Sequence, residues 1–238
     1  MKAYDLLMDP VSMGISAAAA RFVELFQVKQ TLSLAKLKEE VFLRHWKDES
    51  WHEVLRLIAG MVGEQQAEEL IRSLLDQDGR DHKLANLMLA GGCLSEIRNR
   101  RALQKLDEVL WRRFVEEVIR YEPPYYYEDY VVWSEAGPTR QKAVGLIAFV
   151  WRTAGARAWL KSAAEGDPDW IVRWAAVREL ARGWKDDPDT LSILKDRARY
   201  DEDNDVRQVA VLRELARGWK DDPEVIAILK SRQRPLTP

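Results

Sequence analysis

His45 and His52 flank the string K-D-E-S-W, a spacing that could bring two imidazoles together across a turn and begin a zinc site. A zinc ion held by protein alone takes four ligands. The chain adds only His82, a single cysteine, Cys93, and scattered carboxylates. Ser50 lies close to His52, yet acyl chemistry also requires an orienting acid and donors aimed at an oxyanion, and nothing near Ser50 supplies them. Asp186-Asp187 and Asp221-Asp222 pair carboxylates as a general acid and base would, but both pairs recur inside the same surrounding string, which marks them as turn chemistry. A phosphate-cradling loop needs backbone amides and a lysine in the order G-x-x-x-x-G-K-[ST]. None of the 12 glycines is followed by lysine, and Gly91-Gly92 lies in a helical pattern without a preceding strand. No catalytic, cofactor or metal site is expected, and the chain reads as a non-enzyme.

Residues suited to holding a partner are easier to find. Tyr121–Trp133 reads Y-E-P-P-Y-Y-Y-E-D-Y-V-V-W and gathers five of the seven tyrosines within ten residues, after a double proline that stops a helix. Tyrosine brings large contact area at little rotamer cost, so Tyr125, Tyr126, Tyr127, Tyr130 and Trp133 are candidate partner contacts. The plainer reading is a loop folded over the junction between two helical blocks. Arg98, Arg100, Arg101 and Lys105, followed by Arg112 and Arg113, make a basic cluster, but Asp107, Glu108, Glu116 and Glu117 interleave with it. A solvated face is expected there.

The elements that must position these residues announce themselves by repetition. R-E-L-A-R-G-W-K-D-D-P occurs at Arg178–Pro188 and again at Arg213–Pro223, an offset of 35 residues, and each copy leads into a run ending in I-L-K. A period of that size is the signature of stacked helical pairs. In the first copy Val172, Ala176, Val177, Leu180 and Ala181 fall on one helical stripe, while Arg173, Arg178, Glu179 and Arg182 fall mostly off it. Gly183 stands where a left-handed C-terminal residue would end the helix, and Asp187-Pro188 supplies an N-cap followed by proline at the first helical position. A second helix is expected over Asp189–Arg199. A fainter copy lies upstream: a shift of 33 residues puts Arg140–Val144 on Arg173–Val177 and Trp151 on Trp184. Trp151, Trp184 and Trp219 thus form a periodic series, read as core or turn-shielding framework. The copy after Val206-Arg207 carries one extra residue before Arg213, which would rotate that helix start by about 100° and demands a bulge or a shifted start.

The first half is helical but less regular. Apolar faces run through Glu53–Val62 and Ala67–Leu75, a third stretch covers Asp81–Arg101, where Ala90, Gly91 and Gly92 would let a neighbouring helix approach closely, and a fourth runs from Ala102 to Arg120. Asp48 or Ser50 should cap the helix after K-D-E-S-W, with Trp51 docking against it. Strand signals are nearly absent. With 37 basic and 39 acidic residues the chain offers no global reason to bind nucleic acid or acidic lipid. No apolar run reaches a membrane span, the N-terminus shows no secretory pattern, and a lone cysteine suits a reducing compartment, so a cytoplasmic protein is expected.

The pattern D-x-x-V-R-x-A-A-V-x-x-L resembles HEAT repeats, in which the acid caps a helix and the arginine pairs along the array. That resemblance implies framework roles for Arg173, Arg207, Asp187 and Asp222, and an all-α fold: a right-handed α-solenoid of HEAT-like helix pairs behind an irregular helical block. Gln30–Val62, Asn86–Arg100 and the paired A-R-G-W-K-D-D-P strings resemble the region that follows the nucleotidase module in bacterial, cyanobacterial-type NACHT-family NTPases. The organisation expected is a helical region over 1–120, a Tyr/Pro-rich connection over 121–137 and a repeat array over 138–238. Met1–Arg21 departs from that family's pattern.

What the resemblance implies is a non-catalytic interaction or sensor scaffold like the regulatory end of such an NTPase. Its partner would be a protein: a nucleotidase module encoded separately, or a second copy met through the C-terminal helix, where Val225, Ile226, Ile228 and Leu229 form an apolar face and no polar capping helix follows. Nucleic acid and membrane are not expected partners. Two enzyme readings rest on fold analogy alone: a HEAT-repeat bilin lyase and, more weakly, a HEAT-fold DNA glycosylase.

Overall fold

The computed structural model describes residues 14–122, 131–207 and 212–232. All regular structure among them is helical. The chain divides into two compact units, Met1–Ala136 and Gly137–Pro238.

In the first unit α1 (Ile15–Val23) packs on α2 (Glu49–Met61), and α4 (Ala85–Ser95) packs on both α2 and α3 (Glu64–Leu75); α5 (Gln104–Arg113) closes on α4. Asp48 is the N-cap of α2, accepting from the Ser50 amide at 3.0 Å and its hydroxyl at 2.7 Å, and Trp51 behind it is buried. α4 has no polar face: every residue from Asn86 to Leu94 is buried, the pattern of a helix enclosed on all sides. Two glycines permit the approach. A methyl at Gly92 would stand 2.9 Å from Arg56 Cδ, and one at Gly60 would stand 2.8 Å from Glu96 Cβ. Between them Arg56 and Glu96 form an ion pair at 2.5 Å. The helical stretch expected over Asp81–Arg101 is shorter than its apolar pattern, because Lys83 and Leu84 both adopt left-handed backbone, with φ of 54° and 55°. This lets the Leu84 amide turn back to the Gly79 carbonyl at 2.8 Å, and the buried Asn86 amide caps the carbonyls of Leu74 and Gln77 at 3.1 and 2.8 Å.

The second unit is an α-solenoid of successive helices: α6 (Val131–Val150), of which the part from Gly137 onward belongs to this unit, α7 (Ala154–Gly166), α8 (Trp170–Gly183), α9 (Pro188–Tyr200), α10 (Leu212–Gly218) and α11 (Pro223–Arg232). α6 already begins at Val131, inside the stretch expected as a connection, and carries Pro138 within it. α7, α9 and α11 succeed one another in one layer, and α8 and α10 pack together in the other. Ala143, Val144 and Ile147 on α6 are fully buried, as are their counterparts Ala176, Val177 and Leu180 on α8. Directly before the position of the extra residue the helix is π-like, at Val206 and Arg207, and residues 208–211 lie outside the described residues. Gly183 departs from expectation: it stays helical, and Trp184 leaves the helix with φ −136°. Among the described residues only Gly14 is a glycine at positive φ. The turn is closed instead by the Trp184 amide on the Leu180 carbonyl at 2.9 Å and the Asp187 amide on the Trp184 carbonyl at 3.1 Å.

Candidate interaction groove

Two ladders of charge hold the repeats in register. Asp187 caps α9 through the Asp189 amide at 3.0 Å, and Lys161 on α7 reaches both carboxylates, each at 2.7 Å. One repeat later Asp222 caps α11 through the amides of Glu224 and Val225, and Lys195 on α9 bridges Asp222 and Glu224 at 3.0 and 2.8 Å. Hydrogen bonding to Lys161 holds the Asp187 carboxyl below the ordinary carboxylate range. The second ladder joins Arg140 to Asp169 at 2.5 Å and Arg173 to Asp201 at 2.8 Å. Arg173 also donates to the Asp167 carbonyl at 2.8 Å, and Arg207 repeats that contact on the carbonyls of Asp201 and Glu202.

The tryptophan series shares one backbone role. The amides of Trp151, Trp184 and Trp219 bond the carbonyls of Ile147, Leu180 and Leu215 at 3.0, 2.9 and 2.9 Å. Their rings differ: Trp151 is buried, whereas Trp184 and Trp219 are half-buried and cover the turns. Lys185 stands 5.8 Å over the Trp219 ring.

Beside Trp184 the surfaces of α6 and α8 part to leave a cavity of about 190 Å³, bordered by Gly145, Phe149, Arg152, Glu179, Arg182 and Trp184. Phe149 is 53% exposed. The one acid on the border, Glu179, is engaged by Arg178 at 2.9 Å, and Arg178 itself lies 4.6 Å over the Trp174 ring. Sequence reasoning singled out none of these residues as a contact surface; Trp184 was read as repeat framework. The signal was available in the repeat alignment: at the 33-residue shift Gly145 falls on Arg178, Phe149 on Arg182 and Thr153 on Asp186, so the first copy breaks the pattern at neighbouring positions.

Tyr125, Tyr126, Tyr127 and Tyr130 lie outside the described residues, and of Trp133 only its place in α6 is described. The basic cluster of the first unit does not act as one group. Arg100 is held by both oxygens of Asp107 at 2.8 Å, and Arg113 by Glu117 at 2.7 Å and the Leu75 carbonyl at 2.8 Å, while Arg98, Arg101, Lys105 and Arg112 are exposed. On α11 Val225 and Ile228 are buried within the unit, and Ile226 and Leu229 are half-buried. The three histidines gather around two indoles: His45 stacks on Trp51 with centroids 3.8 Å apart, His52 Nε2 lies 2.7 Å from the Trp46 carbonyl, and His82 meets the Trp46 ring edge-on at 5.5 Å. Among the described residues no group of three or more His, Cys, Asp or Glu side chains is placed to hold a metal ion. Cys93 is buried, and that burial pushes its thiol pKa far up.

A solenoid of paired helices with an Asp-capped, Arg-paired repeat defines a HEAT-type helical region. Residues 134–216 match the HEAT repeats family, a stretch that overlaps most of the array expected over 138–238. No curated protein and no solved structure matches the chain. Among the described residues no helix is long and apolar enough to cross a membrane.

Proposed function

We propose that this chain is a non-catalytic scaffold that binds a protein partner through its HEAT-repeat region. The observation that supports the reading is the groove between α6 and α8, where exposed Phe149 and half-buried Trp184 stand beside Arg152 and Arg182. Aromatic and arginine side chains are the residues that most often dominate binding energy at protein interfaces. The finer part of the proposal is that the scaffold serves a signal-transducing NACHT-type NTPase as its regulatory part, in the cytoplasm, with the nucleotidase supplied by another chain. That part rests on the resemblance of Gln30–Val62, Asn86–Arg100 and the paired A-R-G-W-K-D-D-P strings alone. Bilin lyase and DNA glycosylase readings have no such feature in their favour.

Affinity capture with the full chain from its source cell tests the scaffold reading, with ATP turnover assayed on the purified chain and on the captured complex. The expected result is a stoichiometric protein partner and no turnover by the chain alone. Absence of any partner, or hydrolysis by the isolated chain, would overturn it.

A further inference from the structure

The repeats of the second unit are close copies, so the positions where one copy departs from the others carry information. Three departures fall together at the end of α6. Gly145 stands where the later copies have Arg178 and Arg213, Phe149 where they have Arg182 and Arg217, and Thr153 where they have Asp186 and Asp221. The first removes a long side chain and leaves the cavity of about 190 Å³ between α6 and α8. The second places an aromatic ring at its edge, 53% exposed to solvent. The third removes the exposed acid that follows the turn cation in the other two copies, so that Arg152 lacks the neighbouring carboxylate that Lys185 and Lys220 have.

The charge that remains is one-sided. Among the described residues Arg152 is exposed and makes no ion pair, and Arg182, 50% exposed, has only a loose contact at 3.9 Å with Glu214. Glu179 is neutralised by Arg178. A slot the size of one large side chain, with Ala148, Phe149 and Trp184 as its apolar walls and Arg152 and Arg182 as its cations, complements an apolar residue set among acids. Arginine pairs with carboxylates in a planar, two-pronged geometry and is weakly hydrated, which suits it to such a surface.

We propose that this groove binds an acidic, extended segment of a partner protein, with one apolar side chain entering between Phe149 and Trp184 and flanking carboxylates meeting Arg152 and Arg182. The proposal deepens the scaffold reading and rests on it. Nucleic acid is the less suitable occupant, because only two cations, Arg152 and the loosely paired Arg182, flank the pocket and the chain as a whole carries a formal net charge of −2, whereas nucleic-acid sites gather many cations along a backbone path.

The test uses fluorescence anisotropy with the full chain and labelled peptides built on Glu-Glu-Leu-Glu-Glu, its Gln-for-Glu counterpart, and an oligothymidylate of similar length. The acidic peptide should bind and weaken with added salt, and the glutamine peptide and oligonucleotide should not compete for the site. Phe149→Ser and Arg152→Glu should each weaken the acidic peptide by about tenfold or more, with an unchanged melting temperature, because these two side chains are exposed. Equal binding of the glutamine peptide, equal binding by the variants, preference for the oligonucleotide, or no binding at all would overturn the proposal. Capture of cellular partners separates the two readings. If the groove variants capture the same partners as the parent chain, the scaffold reading stands and this one falls. If the parent captures nothing while the acidic peptide binds and the variants lose it, the groove stands and the cellular scaffold falls.

Discussion

The guanidinium of Arg173 grips the carboxylate of Asp201 through two hydrogen bonds, of 3.0 and 2.8 Å, across 28 residues of chain. The Asp201 side chain is fully buried and that of Arg173 is 11% exposed, so the bond joins one repeat to the next inside the solenoid. Removing Arg173 leaves the buried Asp201 carboxylate with only the Asp203 amide and the longer contact to Arg197 at 3.5 Å, a loss of up to about 3–5 kcal/mol. Arg173→Ala should lower the urea midpoint accordingly, and Arg173→Lys, which cannot reproduce the two-pronged geometry, should recover only part of the loss.

Acid should act on the same bond. Burial pushes the Asp201 pKa up, but the hydrogen bond from Arg173, the Asp203 amide and the charge of Arg197 outweigh it and hold the carboxyl below its ordinary 3.8. A carboxyl lowered in the folded state contributes stability that is complete above the unfolded value and is lost as pH falls through the folded one. Urea midpoints measured downward from pH 5 should fall steeply in this window, and Asp201→Asn should flatten that part of the profile.

His45 should set a second, milder slope nearer neutrality. Burial and the neighbouring Arg44 depress its pKa below 6.5, against a smaller opposing effect of Asp48, and its buried Nε2 has no partner to stabilise a proton. The unfolded chain therefore takes up a proton first as pH drops. Stability is full above 6.5, declines as pH falls through the depressed folded value, and levels below it. His45→Gln should remove this decline while leaving the steeper fall governed by Asp201.

Two glycine substitutions should have opposite signs. A methyl at Gly60 would meet Glu96 Cβ at 2.8 Å and the Glu96 carbonyl at 3.1 Å, whereas one at Gly166 meets nothing within 4 Å. Gly60→Ala is expected to destabilise by about 1–3 kcal/mol through overpacking. Gly166→Ala should stabilise by about 0.4–1 kcal/mol by restricting the unfolded chain. Thermal melts of the two variants against the parent decide both.

The tryptophans of the repeat, alike in sequence, should differ in weight. Trp151 is 4% exposed, and its replacement by alanine should cost about 3–5 kcal/mol. Trp184→Ala, at a half-buried ring, should cost less and should instead alter the fluorescence response to a ligand in the groove. Equal destabilisation of the two variants would show that the Trp184 ring packs as deeply as that of Trp151.

Much of the second unit was legible because local chemistry repeats. Asp187 before Pro188 and Asp222 before Pro223 cap helices whatever surrounds them, and the apolar spacing that assigned Ala176, Val177 and Leu180 to a core names the residues that are fully buried. The bounds of α4 were less legible, since nothing in the letters Lys83-Leu84 announces left-handed backbone; that conformation follows from the closure of Leu84 on Gly79 and the capping by Asn86. The groove was half-written in the chain, as departures at Gly145, Phe149 and Thr153 from the repeat.

The amino-acid sequence by itself determined the helical class, the helix-pair period and the caps, since these depend on neighbours within a turn or two of the chain. Tertiary structure alone decided which charges meet, such as Lys161 with Asp187 and Arg173 with Asp201, and which repeat positions open into a cavity. Pairing across 26 to 28 residues depends on how helices stack, and a single sequence holds that information only through the packing of all its apolar faces together.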